Sequence, residues 1–282
     1  MGSVRRLTLL ACALIACSID TRAEHSADVA LMLAGLAERT QQYYDRFISI
    51  ICTETVQTQD LKSNLAPAGR PRTTVYELSV SRDSSGKREH EFRVERTLQS
   101  VNGRPARKNQ RAECTDPKTG TPEPLAFLLA PNQRRYRFTA ADAGSGPSGT
   151  RAIDFIETPP ERVRVTWEGN CFEAEGGGEQ GRVWFDPGTY DIVQVDLRLS
   201  KPFVVPLPDG LFAIRPTIRV EKSEMTLRFS RVAFQQPDET LMLPASIETL
   251  HVLRGVPSMR ITQTLADYRR FLTKSEIRSS GR

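Results

Sequence analysis

The chain has 282 residues and carries 39 basic against 34 acidic side chains, a net charge of +5. So small and evenly mixed an excess gives no electrostatic case for nucleic acid. Beyond residue 16 no apolar run approaches the length of a membrane-spanning helix, so the bulk of the chain is expected to be water-soluble, enough for one large domain or two small ones.

The chain opens on the basic stretch MGSVRR, and Leu7 to Ala16 are almost entirely apolar, the charged-then-greasy order of a secretory signal and too short to span a bilayer. Two cuts are open. Leu14-Ile15-Ala16-Cys17 is similar to the lipobox of bacterial lipoproteins, which would remove residues 1–16 and leave Cys17 lipidated. Thr21-Arg22-Ala23 offers small residues at minus three and minus one, which would remove residues 1–23 and start the mature chain at Glu24. The second cut takes Arg5, Arg6, Arg22 and Asp20 away and leaves a net charge of +3. Either product is exported, to the periplasm or the periplasmic face of the outer membrane of a Gram-negative-type bacterium. Residues 18–27 are polar and without pattern, a tether for an anchored protein or a frayed end for a free one.

Cys52, Cys114 and Cys171 remain after export. In an oxidising compartment two are expected to pair, and Cys52 with Cys114 is favoured because both fall at ends of predicted elements beside polar turns. Their spacings match no zinc module.

From Asp28 to Ile51 apolar residues recur every three or four positions, broken at Thr40, which predicts one amphipathic helix about 36 Å long. A short second helix can start at Thr121, with Pro122 in its first turn, and carry Leu125, Leu128 and Leu129. Nearly everything else alternates with period two: Phe92, Val94 and Leu98 share one face, as do Val163, Val165 and Trp167, and Val193, Val195, Leu197 and Leu199. A sheet with one apolar and one wet face is antiparallel. The fold class is therefore α+β, mainly antiparallel β: a long curved, half-barrel sheet with an amino-terminal helix and one short further helix. One domain spans residues 24–275, and 276–282 form a flexible tail. One helix covers about half of so wide a sheet, and the rest of the apolar face is expected to curl and enclose a cavity.

Two stretches resemble a known group. GRVWFDPGTYDIVQVDLRL, Gly181 to Leu199, is similar to the strand, Asp-Pro turn and strand in the middle of the periplasmic lipoprotein-carrier (LolA-like) superfamily. TLMLPASIETLHVLRGVPSMRITQTLADYRRF, Thr240 to Phe271, resembles its closing segment, and DRFISIICTE, Asp45 to Glu54, resembles a Phe-x-Cys-Thr type motif of an uncharacterised group of exported bacterial proteins. The resemblance implies a half-open barrel plugged by helices, whose interior holds a lipid or lipoprotein acyl chain. Its lining is assigned to Phe155, Trp167, Trp184, Phe185 and Phe229. KPFVVPLPDGLF, where Phe203, Val205, Leu207 and Phe212 crowd an apolar loop with three prolines, reads either as a lid over the cavity mouth or as a crossover packed against the sheet.

Signals for catalysis are weak. Gly176-Gly177-Gly178-Glu179-Gln180-Gly181 spells GxGxxG, but a strand follows where dinucleotide binding needs a helix, so it reads as a flexible hairpin loop. His90 alternates away from Glu89 and Glu91, His25 lies in the mature terminus or just past the lipid attachment point, and His251 alternates with Leu250 and Val252 in the closing segment. Asp154 with Glu157, or Asp186 with Asp191, could form a carboxylate pair. Arg134-Arg135-Tyr136-Arg137 could meet anionic head groups or be a solvated strand face. No catalytic residue, metal or cofactor is assigned. The expected function is that of a non-catalytic carrier or sensor of an apolar ligand, with an envelope protein-interaction module and a secreted hydrolase as the alternatives.

Overall fold

The computed structural model describes residues 27–82, 92–107, 124–144, 146–160, 162–168, 171–207 and 217–270. Residues 1–26 with Cys17, Cys114, Phe212 and residues 271–282 lie outside them.

Residues 27–46 form helix α1. Met32, Leu36, Thr40, Tyr44 and Phe47 are its buried stripe, spaced three and four apart so that they fall on one side of a 3.6-residue turn. Thr40 is thus part of the stripe and no break in it. The helix stops at 46, short of the expected Ile51. Ser49 adopts a φ of 58° and the β-branched pair Ile50-Ile51 opens strand β1, Ile50–Leu61.

Among the described residues thirteen further strands follow. They are β2 (Arg72–Arg82), β3 (Phe92–Val101), β4 (Arg104–Pro105), β5 (Tyr136–Ala141), β6 (Arg151–Glu157), β7 (Arg164–Glu168), β8 (Cys171–Glu175), β9 (Glu179–Phe185), β10 (Ile192–Leu199), β11 (Phe203–Pro206), β12 (Thr217–Gln235), β13 (Asp238–Arg254) and β14 (Ser258–Arg270). Twelve belong to one antiparallel, curved sheet in the order β4-β3-β2-β1-β14-β13-β12-β10-β9-β6-β5, with β11 added to β12 beside β10; β7 and β8 form a separate hairpin. The α+β class with a single long sheet is as expected. In place of one short helix from Thr121, a 3-10 turn at Ala126–Leu128 leads into the four-residue helix α2, Ala130–Gln133, with Leu125 and Leu128 buried.

α1 and the 3-10 turn cover one part of the inner face. Met32, Leu36 and Phe47 meet Leu78, Val80, Ile153, Val183, Val195, Leu227 and Leu243 there. The turn between β9 and β10 docks the helix. Arg39 donates to Asp191 at 2.7 Å from Nε, and Asp191 is almost wholly buried. Beside it the Tyr190 ring lies against Gly35, where any Cβ would come within 2.5 Å of the ring, so a glycine is required for this approach. Asp186 shapes the turn by accepting from the backbone N–H groups of Gly188 and Thr189, which lower its pKa.

The inner face also holds an ion pair. Arg96 of β3 donates from Nε to Glu54 of β1 at 2.7 Å, with both side chains buried. Arg96 occupies the inward position between Val94 and Leu98, because Leu78 pairs with Arg96 as Val80 does with Val94. A lone carboxylate left there would be uncompensated in a dry site. Arg96→Met is expected to cost about 3–5 kcal/mol in urea unfolding, and the double change Arg96→Met with Glu54→Leu should recover most of it. A double variant no more stable than the single one would remove the pair from this role.

Candidate functional site

The inner face left bare by α1 lies over the ends of β10, β12, β13 and β14. There it borders a cavity of about 1080 Å³. Val220 and Met225 of β12, Leu253 of β13, and Met259 and Ile261 of β14 line it on the sheet side. Trp167 and Phe172, paired across the β7–β8 hairpin with ring centroids 5.4 Å apart, line it from the hairpin. Phe203 and Leu207 complete the wall.

Three glycines carry the chain from the hairpin back to the sheet. Gly176, Gly177 and Gly178 all have positive φ (84°, 89° and 78°), and a Cβ on Gly178 would lie 2.5 Å from Pro160 Cβ. The GxGxxG stretch is therefore a tight link against the cavity wall, where a flexible loop was expected.

The five aromatic residues assigned to the lining part company. Trp167 borders the cavity. Phe155, stacked on Phe127 at 4.2 Å, Phe185, stacked on Tyr190 at 5.8 Å, and Phe229 are buried in the core beneath the helical cover. Trp184 is on the outer face, with its indole Nε1 donating to the carbonyl of Ala143 at 2.9 Å. Consecutive strand residues point to opposite faces, so Trp184 and Phe185 could not both line one cavity. Of the segment read as a lid or a packed crossover, Phe203–Pro206 are strand β11, its backbone paired along β12 with Phe203 opposite Val220 and Val205 opposite Ile218. Val205 is fully buried, so β11 is a fixed wall and packs as the crossover reading expects.

The disulfide expectation is also corrected. Cys52 is free and buried on the inward side of β1, under α1. Cys171, at the start of β8, is the disulfide-bonded cysteine, and its partner lies outside the described residues.

Within the cavity wall two polar side chains meet. Ser223 of β12 stands opposite His251 of β13, with Ser223 Oγ 3.1 Å from His251 Nδ1. Burial lowers the histidine pKa and favours the neutral ring. Sequence alternation could not reveal this pair. A bulge between Val220 and Lys222 inserts one residue, so Val220 and Ser223, three apart, both face inward.

The remaining candidates for chemistry have structural partners. Asp154 binds Arg182 on the outer face at 2.6 and 2.9 Å, while Glu157 is buried and takes Arg135 at 2.7 Å. Odd spacing along β6 keeps those two carboxylates on opposite faces. Asp186 and Asp191 are committed to the turn and to Arg39. Arg137 borders an outer groove in which Arg182 and Arg198 are matched by Asp154, Asp196 and Glu224, so it forms no anion-binding patch there. Among the described residues no group of three His, Cys, Asp or Glu side chains could hold a metal.

No protein-family model matches the chain, and no curated protein matches it. Among solved structures it is similar to the crystal structure of a LolA superfamily protein from Nitrosomonas europaea. The match has a TM-score of 0.34 and 9% identity, covering 87% of this chain and 96% of that one.

Cys52 gives a direct check on the inner face. Burial, with the Glu54 carboxylate nearby, pushes its thiol up to about 12. At pH 8 the native protein is expected to leave Cys52 unalkylated by iodoacetamide and to label it only in denaturant, as read by peptide mass spectrometry. Fast native labelling would mean that the inner face is open under α1.

Proposed function

We infer that this is an exported envelope protein that holds an apolar ligand, such as a lipid or lipoprotein acyl chain, as a non-catalytic carrier or sensor. The observation that carries this reading is the cavity of about 1080 Å³ beneath the β7–β8 hairpin, lined mainly by Trp, Phe, Leu, Ile, Val and Met. Its volume matches the upper end of small-molecule sites, roughly 300–1,000 Å³.

The mechanism is passive. The cavity replaces water around a chain, at about 0.8 kcal/mol for each buried CH₂. β11 is laddered to β12, so access falls to the hairpin side, where β7 and β8 pair only with each other. An interaction module would need a contiguous exposed apolar patch. The large exposed hydrophobics among the described residues are Leu31 on α1, Leu65 in the β1–β2 connection, Val204 on β11 and Val256 in the β13–β14 turn. The signal-like segment supports export, and acylation at Cys17 would place the cavity close to a membrane on a short tether.

Calorimetric titration with straight-chain alcohols from octanol to dodecanol tests this. Affinity is expected to rise about fourfold for each added CH₂ until the cavity is full. Ile261→Trp, which fills the cavity from β14, should abolish the trend. Binding that ignores chain length, or that survives the tryptophan unchanged, would overturn the reading.

A further inference from the structure

A purely apolar container would place only hydrocarbon on its wall. This one places Ser223 and His251 between two apolar groups: Val220 and Leu253 on the side of β11, and Met225 and Ile261 on the side of the main core. The pair is built across the β12–β13 ladder, with Met259 of β14 beside His251. Both side chains are largely buried and both border the cavity.

Their hydrogen-bonding capacity is only half used. Ser223 Oγ and His251 Nδ1 satisfy each other at 3.1 Å. The other ring nitrogen, Nε2, has no hydrogen-bond partner among the described residues and belongs to a side chain that borders the cavity. When the serine hydroxyl donates to Nδ1, Nε2 is the N–H donor; when Nδ1 donates to the serine, Nε2 is an acceptor. Either tautomer offers the cavity one directional bond from a neutral ring. The charged groups at the cavity, Arg198 and Glu179, are exposed and of opposite sign.

We propose that the Ser223–His251 pair is the head-group reader of this cavity. It selects amphiphiles with a straight apolar body and one uncharged oxygen head, a hydroxyl or an ester, bonded at His251 Nε2. This rests on the cavity reading above and specifies its ligand class. An alcohol or ester oxygen can accept from Nε2–H, and an alcohol can also donate to it. A carboxylate could accept the same bond, but it would bury its charge beside a ring that burial keeps neutral. The serine fixes the tautomer, and the flanking methionines adapt to the chain around the head.

The test titrates decanol, decane and decanoate at pH 8 into the full chain and into His251→Phe. The substitution is expected to weaken decanol roughly three- to tenfold, the worth of one neutral hydrogen bond, and to leave decane unchanged. In the unaltered protein, decanol and not decane should shift the His251 ring-nitrogen resonances, a readout that does not depend on the variant folding. Equal binding of decanol by both proteins, with no ring shift, would overturn the head-group proposal and leave the cavity reading standing. Decanoate binding tightest in both proteins would likewise overturn it and transfer head recognition to Arg198. Failure of all three probes to bind the unaltered protein would remove the cavity reading as well.

Discussion

One helix has to cover too much sheet. α1 has 20 residues and is about 30 Å long, while the eleven strands of the main ladder, at about 4.8 Å per step, span roughly 48 Å. The inner face is apolar along most of that width, and a sheet cannot leave such a face in water. The 3-10 turn before α2 extends the cover a little. The rest is roofed by the β7–β8 hairpin, whose Trp167 and Phe172 stand over Leu199, Phe203 and Leu253 in a second, smaller apolar cluster. The cavity follows from this mismatch, because two unrelated covers leave space where their edges fail to interlock.

A face covered in this piecemeal way tolerates polar residues that a close-packed core would reject. Glu54 with Arg96, reaching across β2 from β1 to β3, and Ser223 with His251, on neighbouring strands, are both cross-strand pairings. The helix itself depends on the β9–β10 turn: Asp191 takes the Arg39 guanidinium while Tyr190 fills the gap opened by Gly35. The Asp-Pro-Gly-Thr-Tyr-Asp turn therefore both reverses the chain and positions α1.

Much of this was legible in the residues. Period-two runs predicted the antiparallel sheet, and the three-and-four spacing predicted α1, since both follow from backbone geometry alone. The turn Asp186 to Asp191 was visible, but its use as a helix dock was not, because Gly35 is 155 positions away from Tyr190 and nothing local links them. The cavity was anticipated, but its walls were assigned by aromatic size, and Phe155, Phe185 and Phe229 turned out to fill the covered half. Trp184 was misassigned against its own alternation with Phe185. The prolines of KPFVVPLPDGLF read as loop, yet an edge position tolerates a proline, and Pro206 ends the short strand Phe203–Pro206, which bonds only to β12. Ser223 and His251 remained invisible as a pair because bulges in β12–β13 set their register.

On the side away from β2, β1 pairs with β14, the last described strand: Arg270 donates from Nη1 to the carbonyl of Ile48, 222 positions earlier, at 2.7 Å. The centre of the sheet is thus closed by the two segments farthest apart in synthesis. Until β14 arrives, β1 and β13 each present a long open edge, one to either side of the gap. A hairpin meander could fold as it emerges; this topology withholds its middle until nearly all of the chain is present, which raises contact order and slows folding. It also leaves two unpaired edges for a holding chaperone to shield before the last strand seals them.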